Sequence, residues 1–195
     1  MSYRIEELER QRDQRFRRLP RLRVRNERGA VAFINDVGCC LVFTDRTQQI
    51  PCLWVAVCGR RHPVFPEHSH HDAELVLTWN LKDLLPAKRL VYYGKLLFGK
   101  PSMVSLALFP DFYAIHGPQH DEQYRYDYED GLLSRAALHV MEALLDRHPQ
   151  TTRELKRSSR LHAPESRAVF DRAIAELQRK LQITMIEARY DPAFT

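Results

Sequence analysis

Seven glycines in 195 residues leave no GxGxxG and no GxxxxGK pattern, which excludes the usual dinucleotide and P-loop phosphate cradles. GxSxG is missing too, and no Ser-His-Asp set can be named from spacing, so nucleophilic catalysis has little support. The four cysteines, Cys39, Cys40, Cys52 and Cys58, make no CxxC pair and lie among apolar neighbours. Reduced core thiols are expected there, not disulfides or zinc ligands. No apolar run approaches the ~20 residues that cross a bilayer. The opening MSYRIEELERQRDQRFRRLPRLRVR carries charges where a signal peptide needs an apolar stretch. The expected address is the cytoplasm, with no membrane partner and no cofactor.

What is present suits a folded protein. A hydrophobic share of 44% and a charged share of 28% fit neither disorder nor a fibrous repeat. The length allows two compact halves, each able to bury a core. The net charge of +5 is concentrated: residues 1–25 hold nine Arg against three Glu and one Asp, which alone gives +5. Such an arm suits phosphate, because each guanidinium is always charged and forks onto two oxygens. Arg17, Arg18 and Arg21 are its candidate contacts. The alternative is a solvated helix with internal pairs, Glu6 with Arg10, Glu9 with Arg12, and Asp13 with Arg17.

Along the chain, Ile5 to about Phe16 is helix-like. NERGAVAFINDVG spaces Val31 and Ile34 at helical intervals and puts Gly38 at the stop. CCLVF has strand length, and IPCLWVAVCG reads as a buried helix closed by Gly59. RRHPVFPEHSHHDAE is a polar loop. Beyond it, a helical or extended piece through Tyr92 and Leu97, a turn at Gly99-Lys100-Pro101 and a β-branched run from Met103 to Phe109 are expected, with helix–turn–strand the preferred order. HGPQHDEQYRYDYEDG is polar and is expected to link the halves.

In the C-terminal half, Ser134 caps a helix with Leu138, Met141, Leu144 and Leu145 as its stripe. Thr151 and Glu154 form a capping box for a short helix that points Leu155 inward. A third helix starts at Pro164, and its Phe170, Ile174, Leu177 and Leu181 fall at i, i+4, i+7 and i+11 on one face. ITMIEARY then has the β-branched character of a strand. Helix, short helix, turn, long helix, strand is the winged helix-turn-helix order. Arg153, Lys156, Arg157, Arg160, Ser166, Arg167 and Arg172 cluster on the turn and the adjoining helix starts. There arginine can read guanine edges while neighbouring groups hold phosphates. Some such domains mediate only protein contacts.

Two further sets have chemistry. Trp79, Lys82 and Asp83, beside Asn80, place polar groups next to a ring, as a pocket for a flipped base would; the alternative is a packed indole and a surface ion pair. His68, His70 and His71 have the side chains for a divalent metal but lack a second segment at ligand spacing.

The order NDVGCCLVF, IPCLW, TWNLKDLLPAKRLVYYGKLLFGKPSMVSL, DFYAI and YEDGLLSRAA, followed by the helix-turn-helix, resembles the AlkZ-related proteins. These are similar to, but shorter than, the AlkZ and YcaQ winged-helix DNA glycosylases. The resemblance implies a helix-rich α+β fold of tandem winged helix-turn-helix modules: a basic arm over 1–25, a first module over 26–115, a linker over 116–127 and a C-terminal winged helix over 128–195. It implies binding of double-stranded DNA in maintenance or repair; the alternatives are a reduced glycosylase acting on alkylated bases and a transcription regulator. The glycosylases set water with a Gln-x-Gln or Gln-x-Asp pair around an apolar residue. Gln11-Arg12-Asp13 and Gln119-His120-Asp121 match only the outer letters, so no catalytic residue is assigned.

Overall fold

Helix ends in this chain fall where a short polar side chain or a left-handed residue can satisfy free backbone groups. The computed structural model describes residues 4–43, 49–67 and 72–188. The chain is helix-rich α+β and forms two units. One comprises Met1–Tyr93, Pro101–Phe109 and Glu187–Thr195; the other comprises Gly94–Lys100 and Pro110–Ile186.

In the first unit α1 spans Ile5–Arg15 and α2 Glu27–Val37. The Asn26 side chain accepts the Gly29 amide at 2.9 Å to cap α2. Gly38 closes that helix at φ 80°, its amide donating to the Ile34 carbonyl. β1 (Cys39–Leu41), α3 (Leu53–Cys58), α4 (Ala73–Ala87), β2 (Val91–Leu97) and β3 (Lys100–Ser105) follow, with the hairpin end Gly94–Lys100 belonging to the second unit. The sheet order is β1-β3-β2, with Cys39 opposite Val104 and Cys40 opposite Met103 in the antiparallel β1–β3 pair. Phe33, Ile34, Leu53, Leu81, Leu85 and Met103 fill the core between helices and sheet.

Gly59 ends α3 at φ 64°, and a Cβ there would sit 2.7 Å from the Arg23 Cβ, so the position needs glycine twice over. All four cysteines are thiols outside any disulfide, and Cys40, Cys52 and Cys58 are buried. Burial, helped by a hydrogen bond to Glu74, pushes the Cys58 thiol up to about 12.

The stretch 91–109 differs from the expected helix–turn–strand order: Val91–Leu97 is a strand, because the two-residue turn after it lets its backbone pair with β3. The second strand of the hairpin begins at Lys100 and stops at Ser105. The apolar DFYAI belongs to α5 (Phe109–His116), where Pro110 suits the first turn of a helix.

In the second unit α6 covers Gln123–Glu129, so the polar stretch 116–127 contains a helix start, and its Tyr124 is buried. α7 spans Arg135–Asp146, α8 Thr152–Ser158 and α9 Arg167–Arg179, the last preceded by a 3-10 turn over Pro164–Ser166. Ser134 caps α7, and the Thr151–Glu154 capping box is complete in both directions, at 3.3 and 2.8 Å. Phe170, Leu177 and Leu181 are buried with Leu155, while Ile174 packs at the edge of the same core.

Two expectations in this unit do not hold. Leu145 is exposed: the buried side of α7 runs through Ala137 and Val140, and Leu145 falls off that face. Residues 183–188 form no strand. Their β-branched side chains favour extension, but a strand satisfies its backbone only beside another, and none is paired with them among the described residues.

α1, α4, α8 and α9 end alike. The residue after the C-cap takes a positive φ: Arg17 at 53°, Arg89 at 56°, Arg160 at 60° and Leu181 at 56°. The next amide then reaches back five residues, to the carbonyls of Asp13, Leu85, Lys156 and Leu177. This satisfies carbonyls at the helix end that would otherwise lack a donor.

Candidate nucleic-acid interface

The α8–turn–α9 segment concentrates charge without neutralising it. From Thr151 to Gln182 there are eight Lys and Arg against four Asp and Glu. Arg153 and Arg157 are one helical turn apart on α8, and Arg160 occupies the turn in the left-handed conformation. Arg153, Arg157, Arg160, Arg167 and Arg172 are exposed, with no ion-pair partner among the described residues. Glu154, the acid closest in sequence, is already held by the Thr151 amide at 2.8 Å and hydroxyl at 2.7 Å.

Along α9, structural partners gather at the C-terminal end. Glu176 accepts the Ser134 amide at 2.9 Å and hydroxyl at 2.6 Å. The Gln178 Oε1 accepts the Lys95 amide at 3.0 Å, and Lys180 donates to Asp127 at 2.9 Å. The N-terminal half keeps Arg167 and Arg172 open, and that is the end by which a helix-turn-helix reads base edges. The two arginines are five positions apart, about 140° around the helix, so they flank the exposed face instead of sharing one line.

Two of the expected contacts in this cluster have other surroundings. Lys156 is half-buried, with its Nζ 5.1 Å from the centroid of the buried Phe170 ring, so its charge sits over the core as a cation–π lid. Ser166 is half-buried at the end of the 3-10 turn.

The N-terminal arm is engaged with its own unit. Arg17 donates to Asp36 at 3.1 Å and to the Gly29 carbonyl at 3.3 Å, and its guanidinium lies 5.7 Å from the Phe33 ring centroid. Arg18 lies over Phe16 at 4.8 Å, and burial pulls it below the usual arginine range against the opposing pull of Asp13. Arg61 Nε donates to both Asp13 oxygens, at 3.0 and 2.9 Å. Glu7 takes Arg10, and Arg61 also reaches Glu9. The pairs that form thus differ from those expected within the arm: Asp36 and Arg61, outside the helix, take Arg17, Glu9 and Asp13, and Arg10 takes Glu7 instead of Glu6. Arg21 remains exposed.

Trp79, Lys82 and Asp83 do come together on α4. Lys82 Nζ is 2.6 Å from Asp83 and 4.8 Å from the Trp79 ring centroid. The indole, 44% exposed, also packs on Phe43 at 4.9 Å. Burial, with the nearby charge of Asp83, raises the Tyr93 hydroxyl to about 12, so a neutral phenol borders the set. These contacts are those of a packed indole beside an ion pair whose charges answer each other.

Of the Gln-x-Asp pairs, Asp13 is the buried carboxylate clamped by Arg61, and Gln11 donates to Glu7 at 3.1 Å. Gln119 and Asp121 lie exposed. His68, His70 and His71 lie outside the described residues. No helix among the described residues is long and apolar enough to cross a membrane.

Gln178 and Lys95 were missed in the sequence. A glutamine on a leucine-rich face reads as an edge residue, and its role as acceptor for a strand 83 residues away leaves no local signal.

Among known proteins, the model of the AlkZ-related family (AlkZ related) matches residues 24–193. No curated protein and no solved structure matches the chain.

Proposed function

Because the chain belongs to the AlkZ-related family, we propose that it binds double-stranded DNA through the α8–turn–α9 segment and serves DNA maintenance or repair. The observation that carries this reading is the run of exposed arginines without ion-pair partners among the described residues: Arg153, Arg157, Arg160, Arg167 and Arg172. Phosphate contacts from α8 and the turn would position the duplex, and the start of α9 would reach base edges in the major groove. Each phosphate neutralised releases condensed counterions, so affinity would fall steeply with salt.

The order α2–β1–α3–α4–β2–β3 with sheet order β1-β3-β2 supports a first winged helix-turn-helix. Its last helix, α4, exposes Val76, Trp79 and Leu84 instead of a basic face. The DNA-binding role is therefore assigned to the second unit.

The test is fluorescence anisotropy of a labelled duplex at two salt concentrations. Arg167→Ala with Arg172→Ala should weaken binding by about tenfold or more and flatten the salt slope by about two. The melting temperature should stay unchanged, because both side chains are exposed. Equal affinity in the double variant would remove α9 from the interface.

A further inference from the structure

We infer that the tip of the β2–β3 hairpin is a wedge, with Phe98 inserting its ring into the base stack of duplex DNA bound at α9. This deepens the reading above and rests on it.

The loop joining β2 and β3 has two residues, Phe98 and Gly99, at φ 55° and 68°. Positive φ at both central positions makes a type I′ turn, which fits the strand twist and favours Asn or Gly at its first position. A bulky side chain there is held against its backbone preference. Among the described residues, the other four non-glycine residues at positive φ all follow helix ends, where the conformation gains a backbone hydrogen bond. Phe98 closes no helix, and its ring is 73% exposed. A Cβ added at Gly99 would meet nothing within 4 Å, so the tip stands in open space. Packing therefore explains neither the choice of residue nor its conformation, and a backbone outlier of this kind points to function.

Charge identifies the occupant. The two-residue loop sets Lys100 opposite Leu97, and Lys95 is two residues before Leu97, so both lysines share one face of the ribbon. An aromatic tip behind paired cations suits a polyanion whose interior is a stack of flat rings. Apolar wedges between base steps are a recurring way of kinking DNA.

The hairpin is also anchored to the proposed reading helix. β2 is the edge of the sheet, and its Lys95 amide is taken by the buried Gln178 of α9 at 3.0 Å. Gln178 lies six residues along α9 from Arg172, a rise of about 9 Å. Lysines on phosphate and the ring between bases would complement the arginines on α9.

The experiment uses the full chain with duplexes carrying 2-aminopurine at successive positions, read by fluorescence and by anisotropy in the same samples. Wild type, Phe98→Asn and Phe98→Tyr are compared. Asn suits the turn, so Phe98→Asn should melt at the same or a higher temperature. Wild type should brighten 2-aminopurine at a defined step, Phe98→Tyr should keep the signal, and Phe98→Asn should lose it while still binding within about tenfold. Binding by wild type without brightening at any step, or brightening that survives in Phe98→Asn, overturns the wedge and leaves DNA binding by α9 standing. No anisotropy change with any duplex overturns both.

Discussion

Lys180, just past the end of α9, donates to the buried carboxylate of Asp127 in α6 at 2.9 Å, and Gln123 donates to the same carboxylate at 3.0 Å. The Asp127 carbonyl also accepts the amides of Leu132 and Leu133. One residue thus ties the end of the proposed reading helix to the polar stretch before α7.

Burial pushes the Asp127 carboxyl up, but the hydrogen bonds from Lys180 and Gln123 outweigh it and hold the group below the usual carboxylate range. A carboxyl lowered on folding stabilises the protein at pH values above its unfolded pKa. That contribution is lost as pH falls through the folded pKa. Asp127→Asn should therefore destabilise the protein at neutral pH, by about 1.5–3 kcal/mol for a charged hydrogen bond. The difference from wild type should begin to shrink below about pH 4, where the unfolded carboxyl takes up its proton, and should vanish only as pH falls through the lower folded pKa. Urea melts across this range measure it; a constant difference at all pH values would assign the effect to shape instead of charge.

Lys156 separates a structural cation from a phosphate contact. With its Nζ over the Phe170 ring at 5.1 Å, Lys156→Ala should cost about 0.5–1 kcal/mol of stability. Arg157→Ala, one residue on and exposed, should leave stability unchanged and weaken duplex binding more than Lys156→Ala does. Paired melting and anisotropy measurements decide it, and the reverse ranking would return Lys156 to the interface.

How legible these features are in the sequence depends on how local they are. The capping box at Thr151 and the Phe170–Leu177 stripe rest on spacings of three to seven residues, so the sequence carries them whole. Leu145 fails because it flanks α7's stripe, and only the packing of α7 against α8 and α9 decides which flank is covered. ITMIEARY has strand composition, but a strand needs a neighbour, and composition cannot supply one. The arm reads as a free polycation until Asp13 meets Arg61, 48 residues away, and Arg17 meets Asp36. The site divides in the same way. Exposed arginines on α8, the turn and α9 follow from the amphipathic pattern, whereas the link from Gln178 to Lys95 depends on tertiary contact.

The docked arm makes its own prediction. Asp13 is buried, and Arg61 beside it is raised above its ordinary value, chiefly by their hydrogen bond. Arg61→Ala strips a buried carboxylate of its two-point donor and should lower the melting temperature. Duplex affinity at low temperature, where the chain stays folded, should be unaffected. If affinity falls while the melting temperature holds, Arg61 touches DNA directly and the arm is part of the interface.

Arg160 gives the sharpest separation of stability from binding. It holds φ 60° at the end of α8, where the Leu161 amide closes on Lys156 and glycine would carry no steric penalty. A side chain in this conformation costs about 1–2 kcal/mol relative to the right-handed region, an arginine there has no ion pair among the described residues, and helix-turn-helix turns often carry glycine. Arg160→Gly should therefore raise stability, by about 0.5–1 kcal/mol once the added freedom of the unfolded chain is counted, and at the same time weaken DNA binding and lower its salt slope by about one. A variant that is both more stable and equally tight would show that the arginine serves neither fold nor duplex. One that is less stable would show that its stem packs in the turn.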